Sequence, residues 1–178
     1  MMVWMHMISQ VIVLLFTLYA SIKILLMAGY SMVGKFIALI VILLALWLIM
    51  RRDTYLPFLG YAAFPKSLIP GDFAPVDSNT EINVKFDAPD GTRIIYWGAL
   101  ASPIPSGVYP NPYTAYGNFS NAGVATIKQG EAVIRFHCPG QYKVGRIVER
   151  KLKRHIHYRL CCGKVGLLGP VQTLWVNC

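Results

Sequence analysis

VATIKQGEAVIRFHCPGQYKVG, residues 124–145, is the stretch that decides the fold of the C-terminal half. VATIK, AVIRFHC and QYKVG are short strand-like segments, and turn residues separate them at Gln129-Gly130 and Pro139-Gly140. Period-two alternation sets one face of an extended chain against a core, and Gly and Pro at the breaks supply the turns. The texture continues in both directions. Upstream, Ile82, Val84 and Phe86 alternate, Ala88-Pro89-Asp90-Gly91 makes a turn, and TRIIYWGAL (92–100) returns, which predicts a hairpin. Downstream lie HIHYRLCC (155–162) and VQTLWV (171–176). Residues 102–121, rich in Pro, Gly, Asn and Tyr, read as a long ordered loop. About seven short strands within residues 81–178 predict an antiparallel β-sandwich. Phe86, Ile95, Trp97, Val133, Phe136, Ile156 and Trp175 are its expected core. After residue 51 there is no helix-length amphipathic pattern, no P-loop and no dinucleotide glycine motif.

Composition separates this domain from what precedes it. The 178 residues are 55% hydrophobic and 14% charged, which excludes a disordered chain or an ordinary charged soluble domain. Residues 1–50 hold only two charged side chains, Lys23 and Lys35, whereas residues 51–178 hold 15 Lys+Arg, 8 Asp+Glu and all 11 prolines. Apolar runs at about 3–27 and 33–50 each approach the ~20 residues that cross a bilayer as helix. A short connector with Gly29 and Ser31 joins them. The expected unit at 1–50 is a transmembrane helical hairpin. A single span with the other run in the interface is the alternative. A signal peptide is disfavoured, because Met1–Gln10 has no Lys or Arg. Arg51 and Arg52 flank the second run, and the positive-inside rule then places residues 51–178 on the cytoplasmic side. Lys23 and Lys35, near the turn, oppose that assignment.

Residues 51–80 form the joint. Pro57, Pro65, Pro70 and Pro75 forbid a long helix, yet Tyr55, Phe58, Tyr61, Phe64 and Phe73 make the segment too aromatic for a free linker. A strap packed on the domain or the membrane and a partner-docking surface are both open readings. The four cysteines include no C-x-x-C zinc spacing, and adjacent Cys161 and Cys162 are poorly placed to bond each other. Reduced thiols in a reducing compartment are the expectation. Asn118-Phe119-Ser120 is a sequon that matters only if the domain faces a lumen. Lys143, Arg146, Arg150, Lys151, Lys153 and Arg154 make a basic run interrupted by Glu149. Anionic lipid or an acidic capsid neighbour fits that run, and no signature of sequence-specific nucleic-acid reading accompanies it. A solvated basic face is the plain alternative.

His155-Ile156-His157 is the chemically distinctive motif. In a strand both imidazoles point the same way and can meet one metal ion, although H-x-H alone is a weak signal. The stretch GVATIKQGEAVIRFHCPGQYKVG, then LKRHIHYRLCC, then GPVQTLWV resembles the C-terminal half of intradiol ring-cleavage dioxygenases over roughly residues 92–176. That family is a β-sandwich binding non-haem Fe(III) through two tyrosines and two histidines. The resemblance implies Tyr142 of Pro-Gly-x-Tyr, His155 and His157 as ligands, with Tyr109 as the other tyrosine and Tyr113 and Tyr116 competing. Leu152 stands where the family has a substrate-steering arginine, and the loop from Tyr142 to His155 is short. Incomplete convergence, or a site without iron, is therefore expected.

A second resemblance spans more of the chain. An apolar N-terminus, RDTYLPFLG (52–60), VKFDAPDGTRIIYWGA (84–99) and HIHYR (155–159) look like small membrane-anchored virion proteins of large nucleocytoplasmic DNA viruses, the chloroviruses among them. This resemblance implies a structural minor capsid component without a cofactor, tethering the shell to the virion's internal membrane and touching major and minor capsid proteins. The alternative is an enzyme, a membrane-bound Fe(III) dioxygenase acting on catechol-like aromatics.

Overall fold

The computed structural model describes residues 2–56, 59–102, 107–145, 149–161 and 167–178. The chain divides into two compact units, residues 1–60 and 61–178.

The first unit is α1 (Met2–Leu26), α2 (Met32–Met50) and the single turn α3 (Arg52–Tyr55). Windows Ile8–Leu26 and Met32–Met50 are each 19 residues of apolar helix, long enough to cross a membrane. At ~1.5 Å per residue each spans roughly 28 Å, close to the ~30 Å of a hydrocarbon core. Phe16, Ile37, Leu43 and Trp47 are exposed, as the lipid-facing side of such a hairpin requires. Among the described residues of the two long helices, the small side chains Ser21, Ala38 and Ala45 are the buried ones and let two helix backbones approach closely. Ser31 caps α2 by accepting from the Gly34 N–H at 3.2 Å. Beyond α2, the Arg51 guanidinium lies 4.9 Å from the Trp47 ring and donates to Asp53 at 2.9 Å.

The second unit is β structure: β1 (Ala62–Ala63), β2 (Thr80–Lys85), β3 (Arg93–Gly98), β4 (Val108–Tyr109), then α4 (Pro112–Tyr116), β5 (Ala122–Thr126), β6 (Glu131–Phe136) and β7 (Gln141–Val144), followed by β8 (Arg150–Leu152), β9 (His155–Leu160), β10 (Leu167–Leu168) and β11 (Gln172–Trp175). Four strands form one sheet in the order β11-β9-β3-β5, β2 pairs with β6, β1 with β10, and β4-β7-β8 form a fourth group. Every pairing is antiparallel except β4 with β7.

The hairpin expected around residues 88–91 does not form. β2 pairs with β6, Ile82 opposite Ile134, while β3 pairs with β5 and β9. Asp90-Gly91 instead carries the chain from one sheet to another. Gly91 takes φ +80° there, a conformation that glycine adopts without steric cost. The Asp90 carboxylate accepts from the Gly130 N–H at 2.9 Å, locking that corner to the β5–β6 turn.

The main core joins residues of β2 and β6 to residues of the four-stranded sheet. Ile94, Tyr96, Ile134, Phe136 and Ile156 are buried together, with Ile82, Val84 and Leu174 against them. Of the expected core, Phe136 and Ile156 are fully buried, but Val133 and Trp175 are 45% and 59% exposed. In β3 the buried face is Ile94 and Tyr96; Ile95 and Trp97 face the other way, half-buried. A one-residue error in face turns over every side chain of a strand, and β3 is apolar on both faces, so alternation alone does not choose. Part of the proline-rich segment packs on this unit. Ile69 is buried with Val124, Cys161 and Leu168, and Phe73 pairs its backbone with Val124 at 3.0 and 2.9 Å. Tyr61, Leu68 and Val76 of the same segment remain exposed.

Candidate functional site

β9 carries the two histidines on one face, as period two demands, and their ring centroids lie 4.8 Å apart. β7 supplies Tyr142, buried, with its hydroxyl 3.0 Å from His155 Nε2. The strand reaches that position through Pro139-Gly140. A Cβ on Gly140 would come within 2.8 Å of the Tyr109 ring and 3.0 Å of the Leu100 carbonyl, so the close approach needs glycine. The fourth side chain comes from α4. Asn111 caps that turn by accepting from the Thr114 N–H at 2.9 Å, and Pro112 opens it. Tyr116, its last residue, sets its hydroxyl 3.0 Å from the Tyr142 hydroxyl. Its ring stacks at 6.0 Å on His157.

Three polar atoms thus follow one another at 3.0 Å, Tyr116 Oη, Tyr142 Oη and His155 Nε2, with the His157 ring beside them. Outer partners orient the imidazoles. His155 Nδ1 donates to the Lys153 carbonyl at 2.6 Å, which leaves Nε2 with its lone pair toward Tyr142. His157 Nδ1 lies 3.2 Å from the Thr173 hydroxyl on β11. Trp175 packs edge-on against His155 at 5.1 Å, and Phe119 stacks on Tyr116 at 5.6 Å. Burial holds His155 below its ordinary pKa, and hence neutral, despite the opposing Lys153 bond. Desolvation first, then the bond to Tyr142, raises the Tyr116 phenol well above its ordinary value.

The tyrosine assignment therefore changes. Tyr109 sits beside Tyr142 in the parallel β4–β7 pair, but its hydroxyl donates to the Ala101 carbonyl at 2.9 Å. Tyr113 is 84% exposed. Tyr116, one of the competing candidates, joins the cluster. Motif position favours Tyr109, and only the turn of α4 swings Tyr116 inward. Leu152 lies opposite Tyr142 in the β7–β8 register, so no cation occupies that place.

Phenol oxygens and imidazole nitrogens are donor types that could hold a ferric ion. Two ligand atoms each ~2.1 Å from one ion, at about 90°, stand roughly 3.0 Å apart, the spacing of the observed run. A cation there would reverse the rise of the Tyr116 pKa and favour phenolate. Among the described residues no group of three or more His, Cys, Asp or Glu is placed to hold a metal. Neither of two surface cavities, of about 260 Å³ beside Asp72 and Thr126 and about 160 Å³ beside Lys66 and Arg93, is lined by the Tyr–His cluster.

The remaining candidates are distributed differently. Lys143, Arg150, Lys151 and Lys153 are exposed, Lys143 paired with Glu149 at 2.8 Å, and Arg154 is half-buried with a bond to the Cys178 carbonyl. Arg146 lies outside the described residues, as does Cys162. The reduced-thiol expectation fails: Cys138 and Cys178 form a disulfide with Cα atoms 5.8 Å apart, and none of the described cysteines is free. The pair is 40 residues apart in sequence and meets only because β11 returns along β9. Asn121 also escapes notice in the sequence. Fully buried, it donates to the Ala99 and His137 carbonyls at 2.7 and 2.9 Å and accepts from the His137 N–H at 2.9 Å, pinning β5 beside the end of β3. No family model and no curated protein matches the chain, so the Tyr–His geometry is what bears on its function.

Proposed function

We propose that residues 61–178 form a β-sandwich domain, anchored to a bilayer by α1 and α2, that binds Fe(III) through Tyr116, Tyr142, His155 and His157. The observation that carries this reading is the run of two phenol oxygens and one imidazole nitrogen at 3.0 Å spacing. Bound, Fe(III) supplies Lewis-acid and redox chemistry suited to catechol-like aromatics, the substrate class of the resembling family. The Lys153 carbonyl keeps the His155 proton on Nδ1 and leaves Nε2 as the donor. Thr173 sets the tilt of His157. Leu152 gives no charge to steer an anionic substrate, which favours a centre that holds iron without ring-cleaving turnover. Metal analysis and visible absorption of the purified full chain, after Fe(III) reconstitution, test the proposal. One iron per chain, lost in Tyr142→Phe and in His155→Ala, is expected. A folded wild-type chain that takes up no iron overturns it.

At the level of assembly, a second reading rests on the exposed apolar belt of α1 and α2. Two spans are a heavier anchor than peripheral attachment needs. A minor capsid protein that tethers a shell to the membrane beneath it would use such an anchor, with the exposed lysines of β7 and β8 meeting lipid or an acidic capsid neighbour. Modest contacts repeated over a lattice sum through effective concentration. Deleting residues 1–50 should release the chain from membranes and abolish its incorporation into virions. Unchanged incorporation defeats the tether.

A further inference from the structure

We propose that Asn118 accepts an N-linked oligosaccharide on a β domain lying on the oxidising, exoplasmic side of the bilayer. Two independent observations point to this modification site, and a third removes the argument against it.

The first is the presentation of the sequon. Asn118, Phe119 and Ser120 are all exposed, just beyond the end of α4. The Asn118 side-chain oxygen accepts from the Ser120 N–H at 3.1 Å. That bond folds the tripeptide into an Asx turn and leaves Nδ2 at the opposite end of the carboxamide. Phe119, with φ +58°, bonds the Tyr116 carbonyl through its N–H at 2.8 Å and stacks on the Tyr116 ring, which fixes the loop. The neighbouring Asn121 is the opposite case, fully buried with both ends of its amide engaged.

The second observation is the Cys138–Cys178 disulfide, which belongs to an oxidising compartment. The third concerns charge. Only basic residues within ~15–20 positions of the span ends orient a hairpin, and long domains count little. Lys23 and Lys35 flank the turn, and Arg51, Arg52 and Lys66 follow the second span. That balance is too even to hold the domain in the cytoplasm, so the disulfide decides the side. The same side gives the sequon access to a lipid-linked oligosaccharide donor and the transferase that uses it. In the transfer, Nδ2 bonds to the anomeric carbon of the donor sugar. The bond from that carbon to the lipid pyrophosphate oxygen breaks, and its electron pair leaves with the pyrophosphate. Nδ2 gives up one proton, and nothing is oxidised or reduced. The inference is independent of what Tyr116 and Tyr142 bind; in the tether reading it moves the shell contact to the exoplasmic face.

The experiment expresses the full chain in a eukaryotic cell with active N-glycosylation and compares its electrophoretic mobility before and after peptide-N-glycosidase. One slower band, collapsed by the enzyme, is expected. Asn118→Gln and Ser120→Ala should each lose it, the latter while keeping the backbone turn, and Ser120→Thr should keep it. A wild-type chain without glycan overturns the proposal and leaves the side set by Arg51 and Arg52. A glycan that survives Asn118→Gln overturns the assignment to this residue.

Discussion

Replacing Tyr142 by Phe removes one oxygen and tests the centre of the site. The ring stays buried, so the apolar packing with Tyr109 and Ala115 is kept. Two hydrogen bonds go, one to Tyr116 and one to His155 Nε2, each 3.0 Å long. A typical bond contributes ~1 kcal/mol net, and a buried group left without its partner costs ~1–3 kcal/mol. His155 is 3% exposed, so little water reaches Nε2 in compensation. The loss should be about 2–4 kcal/mol. With a urea m-value of ~2 kcal/mol/M, the unfolding midpoint should fall by roughly 1–2 M. The measurement is urea unfolding of the full chain in detergent with a chelator present, followed by near-ultraviolet circular dichroism. Tyr109→Phe is the control, since among the described residues its hydroxyl bonds the Ala101 carbonyl and not the cluster, and about 1 kcal/mol is expected there. A Tyr142→Phe chain within ~0.5 kcal/mol of wild type would show that this hydroxyl bridges nothing, and the metal reading would fall with it.

Other expectations follow from the same contacts. Cys138→Ser with Cys178→Ser opens a loop closed over a separation of 40 residues, and the chain-entropy estimate for that loop is ~4 kcal/mol; an unchanged denaturation midpoint under non-reducing conditions refutes it. Phe136→Ala empties a fully buried position and should cost ~3–5 kcal/mol, whereas Val133→Ala on the exposed face of the same strand should cost far less; equal losses would contradict the assigned register. The backbone N–H groups of Gly130 and Gln129 hold the Asp90 carboxyl below its ordinary pKa of 3.8. Its stabilising contribution is therefore present above pH 3.8 and lost as pH falls through the lower folded value. Asp90→Asn should flatten stability against pH in that acid window, as read by unfolding at stepped pH, and an unaltered profile would sink the assignment.

Periodicity and composition alone determined the two-part organisation. Two predominantly apolar stretches of close to twenty residues, with a Gly-Tyr-Ser break between them, announce paired helices long enough to cross a membrane. Period-two alternation announced strands, because the pleat is a local property of the chain. Which strand pairs with which is not local. Residues 82–86 look like half of a hairpin, yet β2 finds β6, since pairing is settled by which apolar faces can close one core. The face of β3 was equally hidden, because both of its faces are apolar and only the covering layer chooses between them. For the site, His155 and His157 were legible from strand geometry, and Tyr142 from its motif. The exchange of Tyr109 for Tyr116 depends on the path of one short helix, and the Cys138–Cys178 bond on the return of β11 along β9. Such contacts join residues far apart in the chain. Side-chain type limits what each residue can do, but only folding sets the 3.0 Å separations that bring Tyr116, Tyr142 and His155 together.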